Sequence, residues 1–132
     1  MDDQERNWKQ YETQIDLYKF YLDLVVKINA FHFAISGAII SFYFANRDTD
    51  SIQWALLLPA VLSICLVLFF AFGAVANLVS RKNVIDLAKS LKLGVAPELL
   101  VLTVFLVIFC LANLLAFVGA VYVMYAHSCL SV

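Results

Sequence analysis

Residues 28–46, 51–80 and 99–132 contain no aspartate, glutamate, lysine or arginine. A helix rises about 1.5 Å per residue and the hydrocarbon core of a bilayer is about 30 Å thick, so roughly 20 apolar residues are needed to cross it. Each charge-free stretch reaches or nearly reaches that length, and together they leave little polar sequence for a water-facing surface. The chain is 64% hydrophobic and 14% charged, where soluble domains average about 45–50% apolar and about 25% charged. A segment in lipid must also satisfy its own backbone hydrogen bonds, which a helix does internally. The expected fold class is therefore all-α: an integral membrane helical bundle with three transmembrane helices, the first extended by an N-terminal amphipathic helix.

The expected spans are residues 24–45, 54–79 and 99–125, in a single membrane domain. The first is the least apolar, with Asn29, His32, Ser36 and Ser41, and takes in residues 24–26, with Lys27 snorkelling back to the interface. Residues 1–24 are polar and amphipathic rather than a short basic region followed by an apolar run, so the expectation is a retained anchor and not a secretory signal.

Positive charge sets the expected orientation. Arg6, Lys9, Lys19 and Lys27 precede the first span, Arg81, Lys82, Lys89 and Lys92 lie between the second and third, and Arg47 alone falls on the other side. By the positive-inside rule residues 1–23 and the connector 80–98 are cytoplasmic, while the loop 46–53 and the tail 126–132 are external. Tyr43, Trp54, Tyr122 and Tyr125 all fall at the external interface, where amphipathic rings prefer to sit. The default location is a bacterial inner membrane. A formal charge of -1 gives no positive field to draw in phosphates, so no nucleic-acid partner is expected.

Trp8, Tyr11, Ile15, Tyr18, Leu22 and Val25 recur at alternating spacings of three and four, a heptad stripe. No Gly or Pro occurs before Gly37, so one helix is expected from about Gln4 to Ala45. The seam Trp8, Tyr11, Ile15, Tyr18, Leu22 is a candidate partner surface, with rest on lipid headgroups as the competing placement. Residues 81–93 have the pattern of a basic amphipathic helix ended by Gly94 and Pro97. Four linker residues could not return a straight helix of that length to the membrane, so this segment is expected to bend and lie near the interface.

On a helical wheel the first span has a bulky face, a small face of Ala30, Ala34, Gly37, Ala38 and Ser41 suited to close helix packing, and a polar face of Asn29, His32 and Ser36 that continues the heptad stripe. Depths counted from the cytoplasmic charges bring Asn29, His32 and Asn77 to one layer, the candidate intramembrane polar cluster, with Asn113 in the outer half. Such a cluster either joins helices or, because histidine titrates in the physiological range, acts as a proton-sensitive gate.

Catalysis is not expected. His32 and His127 belong to opposite halves of the membrane, and no HExxH, GxSxG or phosphate-binding glycine loop is present. Cys65, Cys110 and Cys129 show no metal-ligand spacing, so neither a metal nor a cofactor is expected. Three spans in a small chain resemble phage holins in outline, although holins typically have an external N-terminus and a charged cytoplasmic tail, and the uncharged end here departs from both. The expected function is a small non-enzymatic membrane protein that self-associates through its first span into an oligomeric module, in one form a pore or membrane-disrupting effector. An alternative is a membrane-anchored adaptor recruiting a cytoplasmic protein through the heptad helix, and a lesser one is a small transporter or lipid-binding protein.

Overall fold

The computed structural model describes residues 2–49, 51–92 and 100–130. They form three long helices, α1 (Asp3–Ala45), α2 (Leu57–Ser90) and α3 (Leu100–Leu130), with a short 3-10 helix, Ile52–Leu56, leading into α2. All three are long and apolar enough to cross a membrane. The fold is an all-α bundle.

Asp3 and Glu5 in the first turn of α1 complement the positive end of the helix dipole. At its other end Asn46 donates from its backbone N–H to the Tyr43 carbonyl and from Nδ2 to the Phe42 carbonyl at 2.9 Å, which satisfies orphan acceptors of the last turn. Ser51 takes a left-handed conformation at φ 66° and turns the chain into the 3-10 helix. Pro59 falls in the first turn of α2, where no backbone N–H is needed.

The register is readable from side-chain bonds. Tyr43 bonds His127, and Asn29 bonds Asn113; each pair is 84 residues apart, so α1 and α3 run parallel at one constant offset. His32 meets Ser63 across the antiparallel α1–α2 pair, and Val25 packs with Phe70 seven residues further along each helix. α2 and α3 make the most extensive helix contact, brought close where Gly73 leaves room for Leu106, whose Cδ2 would be 3.6 Å from an added Cβ. The end where α1 connects to α2, the hairpin end, is marked by Tyr43 of α1, Trp54 of the 3-10 helix and His127 of α3. Toward the opposite, far end the core is apolar, built from Val25, Phe70, Leu102 and Leu106 with Tyr18 and Leu22 packed on it.

Two expectations change here. α2 is not interrupted after its apolar run: it continues as one helix to Ser90, with Val84 and Ala88 each 2% exposed. A connection of four residues would demand a bend, whereas seven, 93–99, separate Lys92 from α3, a span of at most roughly 24 Å. The helix ends through Lys92, left-handed at φ 54°, whose N–H bonds the Lys89 carbonyl. Gly94 and Pro97, the expected stop, lie outside the described residues. At the other end of the chain α3 runs on through residues 126–130, which were expected to form a separate tail.

Candidate functional site

α1 has two opposed faces, and the chemistry-bearing residues divide between them. Val25, Asn29, His32, Ser36 and Tyr43 are its buried residues, a stripe turned onto α2 and α3. At 100° per residue the far side of the helix carries Asp23, Lys27, Ala30, Ala34, Gly37, Ala38 and Ser41, all exposed.

The inward stripe forms a closed polar layer. His32 Nε2 lies 3.0 Å from Ser63 Oγ, and its Nδ1 lies 3.4 Å from Ser36 Oγ. A hydroxyl can donate or accept, so either neutral tautomer of the ring is satisfied on both nitrogens. Three residues toward the far end, Asn113 Nδ2 donates to Asn29 Oδ1 at 2.9 Å and to the Phe109 carbonyl at 2.8 Å. Asn29 Nδ2 donates back to the Val25 carbonyl at 2.9 Å. Asn113 Oδ1 is buried without a hydrogen-bond partner. The five residues Asn29, His32, Ser36, Ser63 and Asn113 are each at most 5% exposed, so the layer is sealed inside one copy of the chain.

Asn29 and His32 thus share a layer as expected, but Asn77 is not part of it. Fourteen residues beyond Ser63 on α2, it lies level with Tyr18, about 21 Å away along the axis, and its Nδ2 donates to Thr103 Oγ1 at 2.7 Å. Asn113 takes the place assigned to Asn77. The cause is the reference point for depth. Counting depth from Lys27 makes it the edge of the membrane, whereas the register sets it level with Leu68 of α2 and Leu111 of α3, both deep in their apolar runs. Reckoned from the shared aromatic end, Asn29 and Asn113 are each fourteen residues from Tyr43 and His127, and this was the signal that would have paired them.

The partner seam also divides. Tyr18 and Leu22 are packed on the protein's own core, and Tyr11 and Ile15 are half-buried. Trp8 remains 44% exposed, its Nε1 bonded to Glu12 at 2.9 Å and its ring 6.0 Å from that of Tyr11.

The outward small face has no such cover: nothing lies within 4 Å of the position a Cβ would take at Gly37. Below it Lys27 Nζ bonds Asp23 Oδ2 at 2.6 Å, with 72% and 60% of the two side chains exposed. A lysine or aspartate at the centre of a membrane helix costs about 2.5–3.5 kcal/mol on insertion scales. At the hairpin end a cleft of about 960 Å³ opens between Tyr43, Arg47, Thr49, Gln53, Tyr122 and His127. Among the described residues no group of three His, Cys, Asp or Glu side chains could hold a metal ion. No protein-family model, curated protein or solved structure matches this chain.

Proposed function

We propose that this protein is a non-enzymatic integral membrane module that self-associates through the outward face of α1. The observation that carries this is the contrast between the two faces of one helix. Its polar stripe finds partners within the copy, while Ala30, Ala34, Gly37, Ala38 and Ser41, the residues best suited to close backbone approach, face away from the bundle. Apolar burial does not drive helix association in lipid; small residues do, by letting backbones pack. Because the polar stripe is used up internally, it offers no lining for a pore between copies, and the module acts as an assembly scaffold with its N-terminus on the cytoplasmic side. Six basic residues support that orientation, Arg6, Lys9, Arg81, Lys82, Lys89 and Lys92, against Arg47 on the other side. The default location remains a bacterial inner membrane.

The test is particle mass in nanodiscs. Wild type should run as a dimer or higher species and Gly37→Ile as a monomer with unchanged helicity, while a wild-type monomer ends the proposal. Liposomes containing the protein should hold a trapped dye. The adaptor reading is favoured by exposed Trp8 on a helix that reaches past the apolar belt. Deleting residues 1–22 would strip Tyr18 and Leu22 from the core, so the cleaner probe is Trp8→Ser, which should lose any co-purifying soluble partner without changing assembly.

A further inference from the structure

The register sets charged and apolar surface side by side at one depth. His32 meets Ser63 and Asn29 meets Asn113, and Tyr18 and Leu22 pack on the cluster that holds Phe70, Leu102 and Leu106. Counted along the helices from those contacts, residues 16–27 of α1 are level with residues 68–79 of α2 and 100–111 of α3. Over these levels α2 presents Leu68, Phe72 and Val75 outward, 67%, 77% and 64% exposed, and α3 presents Val104, Val107 and Leu111, also exposed. α1 instead presents Asp16, Lys19, Asp23 and Lys27, all exposed, at spacings of three, four and four that make one stripe.

The apolar height of the protein therefore differs from side to side. Residues 28–45 of α1 give eighteen uncharged positions, about 27 Å, whereas residues 54–80 and 100–125 give twenty-seven and twenty-six, about 40 Å. A step of about 13 Å between helices about 10 Å apart is steeper than the tilts of up to about 40° that membrane helices adopt, so leaning the bundle does not level it. Nor are the charges neutralised within the chain. Asp23 and Lys27 bond each other at 2.6 Å, which uses one of three ammonium donors and leaves carboxylate lone pairs open. Asp16 and Lys19 make no ion pair among the described residues. Leu68, level with Lys27, is thirteen residues from Arg81, about 20 Å, and a lysine stem is too short to snorkel over that distance. Hydrocarbon solvates none of the four charges.

We infer that phospholipid headgroups of the far-end leaflet occupy this stripe, so that the bilayer surface dips along α1 as far as Lys27 and stays at the full apolar height along α2 and α3. This goes beyond self-association and stands without it. The occupant follows from charge and supply. The phosphate of a headgroup answers Lys19 and Lys27, and the ammonium of a zwitterionic lipid answers Asp16 and Asp23, each one turn from a lysine. Two acids and two bases sum to zero, so the stripe repels neither half of such a headgroup. Toward the far end it continues through exposed Glu12 and Lys9 on the same face, so headgroups reach it along the helix without crossing hydrocarbon. Thinning a bilayer costs little per ångström beside stripping an ion of its partners, and one dip serves all four charges.

Depth-resolved fluorescence quenching tests it, in phosphatidylcholine vesicles doped with a lipid carrying a nitroxide either on its headgroup or at mid-chain. With Cys65, Cys110 and Cys129 replaced by Ser, a bimane is attached at Val26→Cys, Phe69→Cys or Leu111→Cys, exposed sites within a residue of one level, which keeps all four charges in place. The Val26 bimane should read shallower than the other two by about 13 Å, the difference in apolar height. Equal depths at the three sites would overturn the inference, and so would a Val26 bimane that neither nitroxide quenches, since protein would then cover the stripe. Asp23→Leu combined with Lys27→Leu should carry the Val26 reading deeper, and an unchanged reading would overturn the role given to the charges. Gly37→Ile should leave all three depths as they are, so that loss of the dip and loss of self-association are read separately.

Discussion

The inward face of α1 carries Asn29, His32 and Ser36 and is closed, whereas the outward face carries Ala30, Ala34, Gly37, Ala38 and Ser41 and is open. Ser36 is 5% exposed and Ser41, five residues on, is exposed. What separates them is the supply of complementary groups on the neighbours. α2 offers Ser63 and α3 offers Asn113 at the depth where the inward stripe needs them, and a bilayer offers nothing to the other side. In lipid, polarity is informative only together with depth and partner.

Paired substitutions can break this contrast, and the largest effect should come from bulk. Ser36→Phe overpacks the closed side and should cost the copy about 1–3 kcal/mol of unfolding free energy, read by denaturant titration in mixed micelles. Ser41→Phe should change that quantity by no more than about 0.5 kcal/mol while abolishing the dimer in nanodiscs. Equal losses of copy stability from both would erase the distinction. Next, His32→Leu removes the shared partner of Ser36 and Ser63 and should lower stability by about 1–2 kcal/mol. A smaller coupling, about 0.6 kcal/mol, is expected between Asn29 and Asn113 in a double-mutant cycle with leucine at each position. Asn77 and Asn29, being far apart in depth, should be additive in the same assay. Smallest of all, Tyr43→Phe deletes the 3.0 Å bond to half-buried His127 while keeping the buried ring in place, and should lower stability by about 0.5 kcal/mol.

The spans were legible because ionised side chains are so costly in hydrocarbon that their absence over 19 or more residues leaves few alternatives. The stripe of Asn29, His32 and Ser36 was legible as one face because helical spacing is fixed. The partners were not. Lys27 looked like a boundary marker, and every depth measured from it was displaced toward the far end, which drew in Asn77 and put Asn113 out of reach. The continuation of α2 to Ser90 is hidden for a related reason: periodicity does not fix how many residues connect two helices, and a stop at Gly94 leaves fewer than the seven between Lys92 and Leu100.

The pairing of Asn29 with a residue 84 positions later has a consequence for biosynthesis. α1 leaves the ribosome before either helix that satisfies its polar stripe, and it is the least apolar of the three. Its entry into the bilayer gains full support only when α3 emerges, so the nascent chain should dwell at the insertion machinery with α1 held at the lateral exit until the last helix arrives.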